Sequence, residues 1–170
     1  CGQMHWHTGY LREAVPLIRH FVEIYRDAEA ICVPSSSCVA MIRDHYPKAA
    51  RESGDQRFLT DVESVVSRVY EFSEFLVDEL GVTDVGARFP HKITFHDGCH
   101  GMRELGVASQ PRTLLAHVRD IELVEMGEAA TCCGFGGAFS VKFGDIATAM
   151  GEVKVDSAQE TGADYLVSND

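Results

Sequence analysis

Thr131-Cys132-Cys133-Gly134-Phe135-Gly136-Gly137 is the stretch on which the fold reading turns. Packing alone does not call for two adjacent thiols followed by a run rich in glycine. Two neighbouring thiols can both reach one polynuclear metal centre, and glycines let backbone N–H groups approach it with no Cβ in the way. The blander readings are two small buried hydrophobes or a strained vicinal disulfide. Ahead of this loop, residues 121–126 have the apolar run of a strand. Behind it, residues 138–160 have helical spacing through Val141, Ile146, Met150, Val153, Val155 and Ala158.

The same punctuation recurs outward in both directions. A strand at 91–96 runs straight into His96-Asp97-Gly98-Cys99-His100, and a short helix then ends at Gly106. Gln110 and Pro111 open another helix with Leu114, Leu115 and Val118 inward, and a last apolar strand covers 163–167. Near the start, Leu11, Val15, Ile18, Phe21, Val22 and Tyr25 predict a helix over 9–27, with Thr8 as its N-cap and Pro16 as a kink or late start. Residues 30–33 read as a buried strand with Cys32 in the core. Ser35-Ser36-Ser37-Cys38 is a polar loop at its end, 39–46 a helix and 47–56 a turn-rich connection. Phe58, Val62, Val65, Val69, Phe72, Leu76 and Leu80 predict one long helix closed by Gly81. Strands alternating with helices define an α/β fold with mostly parallel strands flanked by helices.

The chain has 170 residues, 15 Lys+Arg against 26 Asp+Glu, and a net charge of −11, which argues against a nucleic-acid or anionic-membrane surface. No apolar run approaches the roughly 20 residues of a membrane span, and no signal peptide opens the chain, so it reads as cytoplasmic. Six cysteines are too few for a disulfide scaffold of this size; in a reducing compartment they are more often metal ligands or redox groups. The start at Cys1, without Met, reads as a piece of a longer protein.

The opening and closing segments share one plan: a Cys-Gly loop, a long helix, an acidic turn, an apolar strand and a polar loop. Cys1-Gly2-Gln3 matches Cys133-Gly134-Phe135, and 28–33 matches 163–168, the later copy being three residues longer. Cys99 precedes the second Cys-Cys-Gly as a strand-end cysteine, and Cys38 follows the first. A counterpart to Cys38 would fall just beyond Asp170.

These residues resemble the cysteine-rich CCG domain family of iron–sulfur oxidoreductases, which includes the heterodisulfide reductase B subunit and the glycolate oxidase iron–sulfur subunit. The resemblance is carried by Ser36-Ser37-Cys38-Val39-Ala40-Met41-Ile42, the string 74–82, His96-Asp97-Gly98-Cys99-His100, Arg103-Glu104-Leu105-Gly106, the loop 131–137 and the string 162–167. The helix strings favour the branch that serves L-lactate oxidation. On that plan 1–56 is the C-terminal half of a first CCG repeat, 57–90 a connecting helix, and 91–170 a second repeat lacking its final Cys-x-x-Cys. The resemblance implies an oxidoreductase subunit that transfers electrons as L-lactate is oxidised to pyruvate, in company with other subunits. It implies [4Fe–4S] clusters, in some members non-cubane, held by Cys99, Cys132 and Cys133 in the second copy and by Cys1 and Cys38 in the first. Because both ligand sets are cut, the cluster of the full-length protein is expected to be absent or incomplete here, with the cysteine loops poorly ordered or disulfide-linked after purification in air. Where the family motif ends in Cys-x-x-Cys, Cys38-Val39-Ala40-Met41 replaces the second thiolate by a weakly ligating thioether.

On this reading Gly134, Gly136 and Gly137 supply N–H groups toward sulfur, and the following helix N-terminus favours negative charge. His96, Asp97 and His100 flank Cys99 and could donate to sulfur or handle a proton; histidines bonded to nearby backbone are the equal alternative. No residue is assigned the lactate chemistry. Three rivals stay open. A zinc site would use His96, Cys99, His100 and one paired cysteine, though a vicinal pair is awkward for a closed tetrahedral site. A nucleotide-binding module would use 134–139, with Phe139 in place of the third glycine. A cluster-free interaction module would keep the fold alone.

Overall fold

A computed structural model describes residues 1–170 and divides the chain into two compact units, Cys1–Phe72 and Ser73–Asp170. In the first unit, helix α1 (Gln3–His7) follows Gly2, whose φ of 82° is the left-handed conformation that glycine tolerates. Thr8 is not the N-cap of the next helix. It closes α1, its hydroxyl donating to the Met4 carbonyl at 2.6 Å. Helix α2 (Leu11–Tyr25) buries Ala14, Ile18 and Val22, one side chain per turn, and carries Pro16 within its second turn.

Strand β1 (Ile31–Val33) leads to Ser35, whose hydroxyl accepts from the Cys38 N–H and starts helix α3 (Ser36–Ala40). Cys38 therefore sits in the first turn of a helix rather than in the preceding loop. A π-helical turn (Met41–His45) and helix α4 (Tyr46–Glu52) continue from it, so the turn-rich stretch predicted at 47–56 is helical up to Glu52, with Pro47 tolerated near the helix start.

The long helix predicted from 58 to 80 is not one helix, and the stretch 57–90 is not a single helical connection. Helix α5 (Gln56–Val66), capped by Asp55, stops; strand β2 (Val69–Glu71) then pairs in parallel with β1, Ile31 opposite Val69 and Val33 opposite Glu71. Val65, Val69 and Phe72 fit a helical repeat, but Arg68 anchors the strand instead, its guanidinium donating to the carbonyls of Ala28 and Arg26. Cys32 is exposed on β1 and is not a core residue. A two-stranded sheet leaves one face open there.

The second unit holds a three-stranded parallel sheet with β3 (Lys92–His96) at its centre, β4 (Glu122–Leu123) on one side and β5 (Tyr165–Ser168) on the other. Ile93 and Phe95 are buried on β3. After helix α6 (Phe72–Glu74) and a π-helical turn (Phe75–Glu79), the chain reaches β3; a second π-helical turn (Gly101–Leu105) ends at Gly106 in the left-handed conformation, as predicted. Helix α7 (Ser109–Leu115) follows, with Pro111 buried.

Residues 138–160 form two helices, α8 (Ala138–Lys142) and α9 (Gly144–Glu160), broken at Phe143. The predicted apolar stripe faces out: Val141 is 85% exposed, and Ile146, Val153 and Val155 are exposed too. What α9 buries is Lys154 and Ser157. The cause lies in the partner, since that face meets peptide groups of the Glu128–Ala129 segment. The Glu128 N–H donates to Ser157 Oγ at 3.1 Å, and Lys154 donates to the carbonyls of Glu128 and Ala129. Buried backbone groups need partners, so the helix supplies polar ones.

The repeat read from the sequence has a structural counterpart. In each unit a Cys-Gly is followed by a five-residue helix (α1, α8), a long helix (α2, α9) and a parallel strand (β1, β5). Ile93 lies at the centre of the second sheet and is fully buried, so Ile93→Ala should cost about 2–5 kcal/mol. A lowered urea midpoint in equilibrium unfolding checks this.

Candidate functional site

Each unit gathers cysteines where its loops meet. In the first, Cys1 and Cys38 place their sulfurs 3.3 Å apart, both as free thiols. Tyr46, fully buried, donates its hydroxyl to the Cys1 carbonyl at 3.0 Å, and Gln3 reaches the Ser37 carbonyl. Burial, and then the charge of Cys38, hold the Tyr46 phenol well above its ordinary range. Met41, which stands in the second position of the Cys-x-x-Cys pattern, is buried in the core of this unit.

In the second unit Cys99, in the loop after β3, comes within hydrogen-bonding reach of Cys132 in the loop after β4, and Cys133 lies near enough for its charge to act on it. Burial first, then the charge and hydrogen bond of Cys132, push the Cys99 thiol up; Cys133 adds to this and Arg103 opposes it. The Gly134 N–H donates to Cys132 Sγ at 3.4 Å, one of the backbone-to-sulfur contacts that the glycines were expected to provide. Gly136 and Gly137 both have positive φ, and Gly137 leads into α8. At five residues, α8 is too short to contribute much dipole.

Gly134 is where the loop touches the long helix. A Cβ there would lie 2.5 Å from the Ala147 carbonyl oxygen and 2.8 Å from Met150 Cβ, at a φ of 79°. Gly2 packs the same way in the first unit but more loosely, 3.7 Å from Leu17 Cβ and 3.9 Å from the Ala14 carbonyl oxygen. Gly98, beside Cys99, has the Asp170 and Asn169 side chains against it, and its N–H donates to Asn169 Oδ1.

The three residues expected to flank Cys99 in a supporting role divide. His96 presents Nδ1 to the Ala129 carbonyl at 3.3 Å, so Nδ1 carries the proton and Nε2 the lone pair. Burial, and then Lys154, lower its pKa. Asp97 has both carboxylate oxygens on Arg112, at 2.8 and 2.9 Å, and Arg112 spends its remaining donors on Glu125 and the Ala108 carbonyl. That aspartate anchors its loop to α7 and, through Arg112, to Glu125 just after β4. His100 Nδ1 lies 3.0 Å from Glu104 Oε1.

Cys32 stays apart from both thiol groups. Partial burial of its sulfur, and then Glu71, push the thiol up, which makes it a poor thiolate donor. Lys154 is the residue that sequence reasoning missed, 3% exposed with its ammonium on two loop carbonyls. Burial lowers its pKa, while Cys133, Cys99, Glu128 and Asp97 pull it back up. Its only sequence signal is a charge inside an apolar-spaced helix.

The fold and these paired loops define a duplicated, thiol-bearing α/β protein. The family profile described as "Cysteine-rich domain" (CCG) matches residues 1–43 and 93–170. The chain is 42% identical over all 170 residues to Lactate utilization protein A 1 of Bacillus cereus (strain AH820), covering 70% of that relative. Identity and coverage are the same for Lactate utilization protein A of Bacillus thuringiensis (strain Al Hakam) and Lactate utilization protein A 2 of Bacillus anthracis (strain CDC 684 / NRRL 3495). The chain belongs to the lactate utilization protein A family of cysteine-rich domain proteins.

The donor set is compatible with an iron–sulfur cluster. No three His, Cys, Asp or Glu side chains close on a point where one metal would sit, and His96 and His100 each have a neighbour of their own. A closed zinc site needs such convergence. A polynuclear cluster takes thiolates at separate irons, and three thiols on two loops with a backbone N–H on one sulfur suit that chemistry.

Gly134→Ala combines a positive φ with a backbone clash and should cost about 2 kcal/mol or more, whereas Gly106→Ala, left-handed with open space around its Cβ, should cost only about 1 kcal/mol. Urea unfolding of the two variants checks the difference. His96 makes a second prediction. Below its ordinary value of 6.5 the unfolded chain binds a proton that the folded one refuses, so stability is full above that value and falls as the pH drops through it. Unfolding at about pH 7.5 and about pH 5.5 should show this loss in the parent and a smaller one in His96→Gln.

Proposed function

We propose that this chain is an iron–sulfur oxidoreductase subunit that passes electrons during the use of L-lactate, alongside other subunits of the same system. The observation that carries the reading is the approach of Cys99 to Cys132, with Cys133 next to it, from separate strand-end loops, and a backbone N–H on the Cys132 sulfur. The names of the relatives supply the lactate connection. Cys99, Cys132 and Cys133 would hold a [4Fe–4S] cluster in the second unit, and Cys1 and Cys38 would contribute to one in the first. Such a cluster supplies one-electron transfer, at a potential set by its charge, hydrogen bonds to sulfur and exposure.

The chain's own residues do the rest. Gly134 brings its N–H to Cys132 because no Cβ separates loop from helix. The Asp97–Arg112 pair fixes the loop that carries Cys99. In the first unit Tyr46 fixes the backbone of Cys1, and the buried thioether of Met41 leaves Cys1 and Cys38 as the two thiols there. No helix is long and apolar enough to cross a membrane.

The full-length protein, purified anaerobically, should contain iron and acid-labile sulfide and give a reduced-cluster EPR signal. Cys133→Ala should lose about half or more of both, and Cys32→Ala none. Full retention of iron, sulfide and signal in Cys133→Ala would refute the assignment.

A further inference from the structure

We infer that Lys154 is a positioning residue for the second thiol site: it ties the backbone ahead of Cys132 to α9 and sets a positive charge beside Cys99 and Cys133. Only the redox half of this inference rests on the iron–sulfur reading; the anchoring half stands on hydrogen bonds alone.

The anchoring is specific. The Ala129 carbonyl accepts from Lys154 Nζ at 3.1 Å, from the Asp97 N–H at 3.3 Å and from His96 Nδ1 at 3.3 Å. The Glu128 carbonyl accepts from Lys154 and from the Thr131 N–H, and the Ala130 carbonyl from Arg103 Nη2 at 3.3 Å. Three consecutive carbonyls leading to Thr131-Cys132 are thus held by side chains from α9, from the π-helical turn after Cys99, and from β3. Lys154 is the most buried of these donors and holds two of the three. A buried ammonium is costly unless it is paired and hydrogen-bonded, and the acceptors here are loop carbonyls rather than a carboxylate. No carboxylate accepts from it directly, and α9 packs against the thiol loop, a Cβ at Gly151 lying 3.6 Å from the Cys133 carbonyl oxygen, so its charge is shared among Cys133, Cys99, Glu128 and Asp97.

The first unit lacks this device. Matching Gly2 against Ala14 and Leu17 to Gly134 against Ala147 and Met150 sets the two helices in register, and the position matching Lys154 is Phe21. Phe21 meets Tyr46 edge-on at 5.5 Å, and Tyr46 is the group on the Cys1 backbone. One site is braced by aromatic rings and the other by a cation. A positive charge favours the more reduced, more negative state of a bound cluster, so the second site should have its potential raised by Lys154.

The test compares Lys154→Met and Lys154→Arg with the parent, each checked for folding by circular dichroism. In cluster-free protein, hydrogen–deuterium exchange of the amides of Asp97 and Thr131 should speed up about tenfold or more in Lys154→Met and return toward the parent in Lys154→Arg. In cluster-loaded protein, EPR-monitored titration should find a lower reduction potential in Lys154→Met, restored in Lys154→Arg. Exchange within about twofold of the parent in Lys154→Met would overturn the anchoring, and an unshifted potential would overturn the charge effect. If neither parent nor variant holds iron, the iron–sulfur reading and the redox half fall together, and the exchange comparison alone decides the anchoring. Should Lys154→Met not fold, Lys154→Gln, a donor without charge, should show near-parent exchange with a lowered potential; a parent-like potential there would count against the inference.

Discussion

The second site depends on one carbonyl group. Ala129 C=O accepts from the Asp97 backbone, from His96 and from Lys154, and so joins the loop after β3 to the loop after β4 and both to α9. A carbonyl has two lone pairs, and three donors sharing it leave little freedom for the peptide that carries it. Cys99 lies two residues beyond Asp97, and Cys132 three beyond Ala129. Fixing that peptide fixes the approach of the thiols. The Asp97–Arg112–Glu125 network repeats the same logic one layer out, with a guanidinium whose every N–H is engaged.

Duplication explains much of the plan, and the differences between copies show where each has specialised. Both place a left-handed glycine after a cysteine and pack it on the long helix, but the fit is far tighter at Gly134 than at Gly2. Both end a parallel strand in a polar loop. In the first, Ser35 caps the helix that contains Cys38; in the second, Ser168 accepts from the Asp170 N–H and Asn169 receives the Gly98 N–H. Thiols meet at the ends of parallel strands in both units, where open α/β sheets usually hold ligands.

Chemistry was more legible in the sequence than packing. Cys132-Cys133-Gly134 and the strand-end Cys99 stood out because adjacent thiols before glycine have few other uses, while Cys1 and Cys38 were joined only through the family resemblance. The strands β1, β3 and β5 were visible as short apolar runs bounded by turn residues. β2 was hidden because Val65, Val69 and Phe72 mimic a helical repeat, and what selects a strand is distant, namely the Arg68 bonds to the Ala28 and Arg26 carbonyls and the pairing with Ile31. The orientation of α9 was hidden for the opposite reason. Its apolar residues looked like a core face, but the face that turns inward answers to loop carbonyls, and no periodicity in a helix reports the polarity of its partner. Lys154 is the residue in which that mismatch is concentrated, and it lies beside the thiols.

The most direct test of the account is Mössbauer spectroscopy of the full-length protein grown on iron-57 and kept free of oxygen. The account predicts signals of tetrahedral, sulfur-ligated iron in a coupled cluster, with a diminished second-site component when Cys99 is replaced by alanine. A spectrum showing only isolated high-spin ferrous ions, or no protein-bound iron, would contradict it.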